Sequence, residues 1–120
     1  MEMEMGNFPS QGSLGLLSNG NIAVCEGDTR RLSIFDSQSN FIRHVGAGQL
    51  PKPFHLFVDS GDNILVANAD TSTNQIMVFK ADGSLVKNIS IYGHNGAIGI
   101  CMDPEGRIIT PSHSGVVFVI

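Results

Sequence analysis

One short pattern occurs three times along this chain, and its spacing limits what the chain can fold into. Each copy has a turn rich in Gly, Asp and Asn, then an apolar run, a polar loop and a second apolar run. Asn21, Asn63 and Arg107 hold the same place in the three copies and lie 42 and 44 residues apart. Short runs of β-branched and aromatic residues between such turns are typical of strands joined by hairpins. The pattern therefore predicts a repeat protein made of β-strands.

A repeat near forty residues with about four short strands is the signature of a β-propeller blade. The sequence predicts an all-β fold in one domain, residues 1–120, with four-stranded blades at 14–45, 54–91 and 97–120, the last without its outer strand. The strands of a blade are named a to d from the centre of the propeller outward. Strand a is predicted at 14–17, 54–58 and 97–102, strand b at 22–25, 64–67 and 108–110, strand c at 31–35, 75–79 and 116–120, and strand d at 1–5, 41–45 and 85–91.

The first five residues alternate strictly between Met and Glu. Met1, Met3 and Met5 then lie on one side of a strand, because successive side chains of a strand point to opposite faces. The number of residues between this segment and the next a–b turn is nearly the same as for the d strands at 41–45 and 85–91. We therefore expect residues 1–5 to form an outermost strand d. Strands a to c of the same blade do not precede it in this sequence.

Three blades are too few for a ring, because propellers have roughly four to eight. The sequence therefore predicts a half-propeller that forms a six-bladed homodimer, in which each N-terminal strand completes the partner's last blade and no strand edge stays open. The alternative is that the chain is a piece of a longer propeller. The residues expected to close the dimer are Met1, Met3, Met5, Val116, Phe118 and Ile120.

Composition narrows the class of protein further. Hydrophobic residues make 42% of the chain and the net charge is −4, which argues against a disordered tail and against a generic polyanion binder. Cys25 and Cys101 form no CxxC pattern, so we expect reduced thiols in a cytoplasmic protein. The N-terminus lacks the order of a signal peptide, and no apolar run has the length of a membrane span.

The repeated pattern is similar to the NHL repeat, over nearly the whole chain. The first unit supplies Gly20-Asn21-Ile22, Val24, Glu26, Arg31, Ile34-Phe35-Asp36, Pro53, Leu56 and Val58-Asp59, and the second supplies Asn63-Ile64, Val66, Asn68, Val78-Phe79, Asp82-Gly83, Ile98, Ile100 and Met102-Asp103. The resemblance implies that an acidic residue and an Arg brace the loop between strands b and c. Glu26 or Asp28 with Arg31 keeps that arrangement in the first unit, whereas Asn68 or Asp70 with Gln75 is a neutral substitute in the second.

The best-known NHL domains are the C-terminal domains of tripartite-motif ubiquitin ligases, which bind proteins or RNA hairpins. The resemblance implies a propeller with a binding face and no ligase activity, because this chain has no RING-type or B-box-type Cys/His clusters. An amidating lyase also shares the repeat and holds a metal with His. Fold resemblance alone does not assign a function.

Strand order indicates where a ligand site lies. The a–b and c–d turns share one end of the sheets, while the d–a and b–c loops share the other. The first set is short and rich in Asp, Asn and Gly, as turn geometry requires. The second set varies between repeats, and variable loops commonly carry binding sites. The candidate binding residues in or beside these loops are Arg30, Lys52, His55, Asn68, Asp70, His94 and His113.

Several functions remain open at this stage. A non-catalytic platform for a protein or peptide suits a mixed-charge face with apolar loop residues. RNA binding needs clustered cations and stacking groups, and acidic residues interrupt the cations here. A metal-dependent lyase-like enzyme needs a catalytic constellation, and none of the usual patterns occurs. We therefore expect no enzyme activity, no catalytic residue, no metal and no cofactor. A propeller fragment without activity of its own is the remaining alternative.

Overall fold

In a computed structural model the protein is an all-β chain of three antiparallel sheets. The structure describes residues 12–26, 29–69, 74–91, 100–112 and 115–119. No helix in these ranges has the length and apolar character needed to span a bilayer. The strands are β1 Gly12–Leu16, β2 Ile22–Glu26, β3 Arg31–Phe35, β4 Phe41–Val45, β5 Pro53–Val58, β6 Ile64–Ala69, β7 Asn74–Phe79, β8 Leu85–Ile91, β9 Cys101–Met102, β10 Ile108–Ser112 and β11 Gly115–Val119.

Each sheet is a meander in which every strand pairs with the next one along the chain. Sheet 1 has the order β1-β2-β3-β4, sheet 2 has β5-β6-β7-β8, and sheet 3 has β9-β10-β11 in its described part. The expected all-β fold is confirmed, and the two four-stranded antiparallel sheets are consistent with blades of a propeller. The predicted strand at 97–102 is described only at its end, because residues 92–99 lie outside the described ranges. The predicted closing strand at 1–5, with Met1, Met3 and Met5, and Ile120 lie outside them too.

Five hairpin turns in the described residues share one backbone geometry. In each, the first residue donates its N–H to the carbonyl four residues ahead, and the fourth residue donates back to the first; the turns are 17–21, 36–40, 59–63, 80–84 and 103–107. The fourth residue has a positive φ in every turn: Gly20, Ser39, Asp62, Gly83 and Gly106. A type I turn followed by a left-handed residue gives a three-residue hairpin loop that suits the strand twist.

An aspartate at the first position completes three of these turns. The carboxylate of Asp59 accepts the backbone N–H groups of Gly61 at 2.9 Å and Asn63 at 2.8 Å. Asp36 and Asp103 accept the equivalent pairs in their own turns. Asp is therefore favoured at the first position of the turn because its oxygens satisfy backbone donors that the strands do not use.

Two apolar clusters hold the sheets together. The first joins sheet 1 to sheet 2 and includes Leu32, Ile34, Ile64 and Phe79, all essentially inaccessible to solvent. The second joins sheet 2 to sheet 3 through residues such as Leu65, Ile76 and Ile108. Sheet 2 is therefore apolar on both faces, as expected for a sheet between two others. This stacking follows from alternation, because neighbouring residues of one strand belong to different clusters.

Sheets 1 and 2 approach most closely at their first strands. A Cβ atom added at Gly15 would lie 2.5 Å from Cγ2 of Val58 and 2.6 Å from Cδ1 of Leu56. The hydroxyl of Ser13 accepts the backbone N–H of Leu56 at 3.2 Å. Small residues on β1 therefore allow β5 to pack directly against it, which is the close backbone approach that a strand glycine commonly marks.

Candidate functional site

The described connections form two different ends of the sheets. The turn end carries the five hairpin turns given above. The loop end carries the connections between strands b and c and between blades; its described parts are residues 29–30 and 46–52. This division agrees with the predicted one. Along antiparallel strands, successive connections lie alternately at the two ends of the sheet.

The 46–52 loop has a defined backbone. Gly46 and Gly48 have φ of 74° and 80°, and the N–H of Gln49 donates to the carbonyl of Gly46 at 2.9 Å. Leu50 is buried beneath the loop in the core between sheets 1 and 2. The side chain of Lys52 is exposed. The loop is thus anchored by one apolar side chain and shaped by two left-handed glycines, which leaves its polar residues facing solvent.

Asn68 fixes the far end of this loop. Its side chain is completely buried, and its Oδ1 accepts the backbone N–H of Lys52 at 2.8 Å. Its Nδ2 donates to Oε1 of Gln75 at 3.4 Å. A buried amide must satisfy both its donor and its acceptor, and these two partners do so. Asn68 is therefore a positioning residue that acts through the backbone of Lys52.

We expect Asn68→Ala to destabilise the fold by about 2–3 kcal/mol, because it leaves the N–H of Lys52 without its partner and opens a small cavity. Urea denaturation measures the loss. Gln75→Ala is the matched control: it removes only the longer bond and should cost less. Hydrogen exchange at the Lys52 amide should accelerate in Asn68→Ala and not in Gln75→Ala, and equal exchange in the two variants would contradict this role.

Of the other predicted binding residues, some are described by the structure and the rest lie outside the described ranges. Arg30 is exposed at the loop end with φ of 58°, and His55 is half-buried on β5, opposite Ala67 of β6. By strand alternation His55 lies on the face of sheet 2 that packs toward sheet 3. Asp70, His94 and His113 lie outside the described residues. The structure therefore places Arg30, Lys52 and Asn68 at one end, with Asn68 beneath the surface.

Charge also differs between the two ends. At the turn end, hydrogen bonds from Ser18 lower the pKa of Asp62, and those from Ser84 lower the pKa of Asp82. The backbone N–H of Asn40 lowers the pKa of Asp36, and that of Arg107 lowers the pKa of Asp103. The pKa of each of these carboxyl groups lies below that of a free aspartate, because hydrogen bonds to the charged form favour it.

The four turn-end aspartates thus already accept hydrogen bonds from the protein's own donors. At the loop end, the charged side chains described in 29–30 and 46–52 are those of Arg30 and Lys52, both cationic and exposed. Within the described ranges, no three His, Cys, Asp or Glu side chains come close enough to hold a metal ion. The described loop end is therefore suited to contacts made by cations, amides and backbone.

Sequence reasoning recognised Asn68 and Gln75 as partners but missed the bond from Asn68 to the backbone of Lys52. The signal was the amide itself, since a polar residue inside the apolar run of a strand requires a buried partner. Sequence reasoning also missed the link between Ser18 and Asp62, in which the carboxylate accepts the backbone N–H of Ser18 at 2.9 Å. That bond joins the turns of two neighbouring sheets.

No protein-family model matches the chain, and no curated protein matches it either. Solved structures do match. A protein of unknown function from Bacteroides caccae is 14% identical with a TM-score of 0.63, over 90% of this chain and 45% of that one. A protein from Lactobacillus plantarum is 16% identical with a TM-score of 0.64, over 94% and 41%. The PQQ-bound aldose sugar dehydrogenase from Streptomyces coelicolor is 15% identical with a TM-score of 0.62, over 88% and 39%.

The chain thus spans less than half the length of each of these proteins. They include an enzyme and proteins of unknown function, so they share no single activity. At such low identity the likeness shows the fold alone. The chain has a β-propeller-like, all-β fold.

Proposed function

We propose that the chain is part of an NHL-type β-propeller that serves as a non-catalytic platform for a protein or peptide, with the loop end as its binding face. The observation that carries the proposal is the contrast between the two ends. The turn end is built from one repeated, internally hydrogen-bonded turn, whereas the loop end presents an anchored loop whose polar groups face solvent.

Three carboxylates of the turn end are already occupied by hydrogen bonds. Asp36, Asp59 and Asp103 each accept two backbone N–H groups of their own turn. A ligand that recruited these oxygens would first have to break those bonds, and losing a hydrogen bond to a charged group is unfavourable. Binding through these carboxylates is therefore disfavoured.

The 46–52 loop supports binding because its shape exists before a ligand arrives. Its backbone is fixed by the turn at Gly46–Gln49, by buried Leu50 and by the bond from Lys52 to Asn68. A loop that is already ordered loses little conformational entropy on association. Exposed Lys52 and Arg30 favour an acidic segment of a peptide or protein, since opposite charge steers encounter and register.

We further propose that two copies complete a six-bladed ring in the cytoplasm, where the thiols of Cys25 and Cys101 stay reduced. The support is the apolar face that sheet 1 leaves exposed at Leu14 and Leu16, because an apolar sheet face is stable when it packs against another element. Enzyme activity is not carried over from the sugar dehydrogenase, because a shared fold at 15% identity assigns no chemistry.

A phage-displayed library of random peptides, selected on the wild-type protein, tests the binding face. Peptides that bind should be acidic and should lose about tenfold or more in affinity for Lys52→Ala, a loss of about 1.4 kcal/mol. Lys80→Ala is the matched control, because Lys80 is an exposed lysine of the turn end. It should leave affinity within about twofold.

The opposite pattern would overturn the assignment of the face: affinity lost in Lys80→Ala and kept in Lys52→Ala. A selection that enriches no peptide, while an RNA hairpin library yields ligands under the same conditions, would replace the platform by an RNA-binding function. RNA affinity should then fall steeply with added salt, because cations that neutralise phosphates release counterions.

A further inference from the structure

The outward face of sheet 1 carries apolar side chains with no described partner sheet. Leu14 is 62% exposed and Leu16 is 70% exposed, and together with Gly15 and Ile22 they line a shallow apolar groove. Val24 and Ser33, further along the same face, are buried. The exposed part therefore follows β1, the first strand of the sheet. We call Leu14, Leu16 and Ile22 the open face.

The repeat shows what such a face is built to contact. Forty-two residues further on, the open face corresponds to Leu56, Val58 and Ile64 of sheet 2. Those residues lie in or against the cluster that joins sheet 2 to sheet 1, with Leu56 3% exposed and Ile64 fully buried. The open face thus has the residues of a sheet-to-sheet contact. Exposed leucines in neighbouring positions form an apolar patch of the kind that marks an interaction site.

The contact between sheets 1 and 2 also shows what the covering sheet must offer. There, Gly15 leaves room for Val58 and Leu56. A sheet that covers the open face in the same way presents the face that carries the position equivalent to Gly15. That position is Phe57 in sheet 2 and Cys101 in sheet 3. Phe57 packs against the cluster that joins sheet 2 to sheet 3, whereas Cys101 is exposed. Sheet 3 therefore has this face available at Cys101.

We propose that the open face of one copy packs against sheet 3 of a second copy, with Leu16 beside Cys101 of the partner copy. This inference rests on the two-copy ring proposed above and names its seam. The contact repeats the arrangement of sheet 1 on sheet 2, so one geometry serves inside the chain and between chains. Two such contacts related by a two-fold axis close the ring and leave neither face open.

An engineered disulfide tests the seam, because the equivalent contact inside the chain has suitable geometry. A Cβ atom at Gly15 would lie 3.5 Å from Cβ of Val58, at the short end of the range that disulfides span, about 3.5–4.5 Å. Leu16→Cys should therefore cross-link to Cys101 of the partner under mild oxidation. A non-reducing gel should show the 12.8 kDa chain shifting to twice its mass.

Two controls isolate the seam. Leu16→Cys combined with Cys101→Ser should give no cross-linked species, and Val86→Cys, which adds a thiol at an exposed position away from the open face, should give none either. Light scattering on the wild-type protein should report twice the chain mass. A monomeric wild type, a cross-link that persists without Cys101, or a ladder of higher oligomers would overturn the proposed pair.

A dimeric mass without a cross-link in Leu16→Cys would overturn this seam while leaving a two-copy ring in place. The cross-link does not depend on any ligand. Peptide selection can therefore fail while the seam is found, or succeed while it is not, and the two proposals are tested separately.

Discussion

Phe79→Ala should lower the free energy of unfolding by about 3–5 kcal/mol, which is the largest effect of any single truncation that we expect. Phe79 is fully buried at the contact of sheets 1 and 2, where its ring packs near Gly46 and Leu50. Its removal leaves a cavity between the two sheets. The hydrogen bonds within each sheet hold its strands in place, so the sheets do not easily collapse to fill the cavity. Urea denaturation followed by circular dichroism measures the loss.

Phe41→Ala is the matched control, because Phe41 is the same residue type but 52% exposed on the outermost strand of sheet 1. It makes an edge contact with Phe35, with ring centroids 5.9 Å apart. We expect a cost of about 1 kcal/mol or less. Similar losses in the two variants would show that the contact between sheets 1 and 2 contributes little to stability.

Gly46→Ala should cost about 2–5 kcal/mol for two separate reasons. Its φ of 74° is unfavourable for a residue with a side chain, at about 1–2 kcal/mol. The added Cβ would also lie 2.7 Å from Cδ1 of Leu50 and 3.0 Å from Cζ of Phe79, and overpacking a core costs about 1–3 kcal/mol. Thermal or urea unfolding reports the sum.

Gly48→Ala separates these two contributions. Gly48 has a nearly equal φ of 80°, and a Cβ there would meet nothing within 4 Å. It should therefore show only the backbone cost, about 1–2 kcal/mol. The difference between the two alanine variants measures the packing of Gly46 against Leu50 and Phe79. Equal losses would contradict a packing role for Gly46.

The turns and strands were predictable because their causes are local. Asp59 and Gly61 in one turn, and Asp103 and Gly106 in another, mark loops whose hydrogen bonds close within five residues. The alternation of apolar residues along 75–79 likewise places successive side chains on opposite faces. The left-handed position was less visible in two turns, where Ser39 and Asp62 occupy it instead of glycine.

What the sequence did not predict depends on contacts between distant segments. Asn68 was identified as one half of a pair with Gln75, but its bond to the backbone of Lys52 exists only because the 46–52 loop folds over β6. Leu14 and Leu16 were predicted within a strand. Whether their face is covered depends on a neighbouring sheet and not on the strand itself. The proposed closing strand at residues 1–5 stays a prediction.

The meander order of the sheets has a consequence for synthesis on the ribosome. Each strand of sheets 1 and 2 pairs with the strand made just before it, so a sheet can form soon after its last strand leaves the exit tunnel. The apolar faces of a sheet are buried later. Leu32 and Ile34 can contact the apolar side chains of sheet 2 only after sheet 2 has been made, and Leu65 and Ile76 can contact sheet 3 only after sheet 3 has been made. Each blade can thus complete its own hydrogen bonds first, and its apolar face is buried when the next blade has formed. The same order is expected in other proteins whose repeats are stabilised by their neighbours.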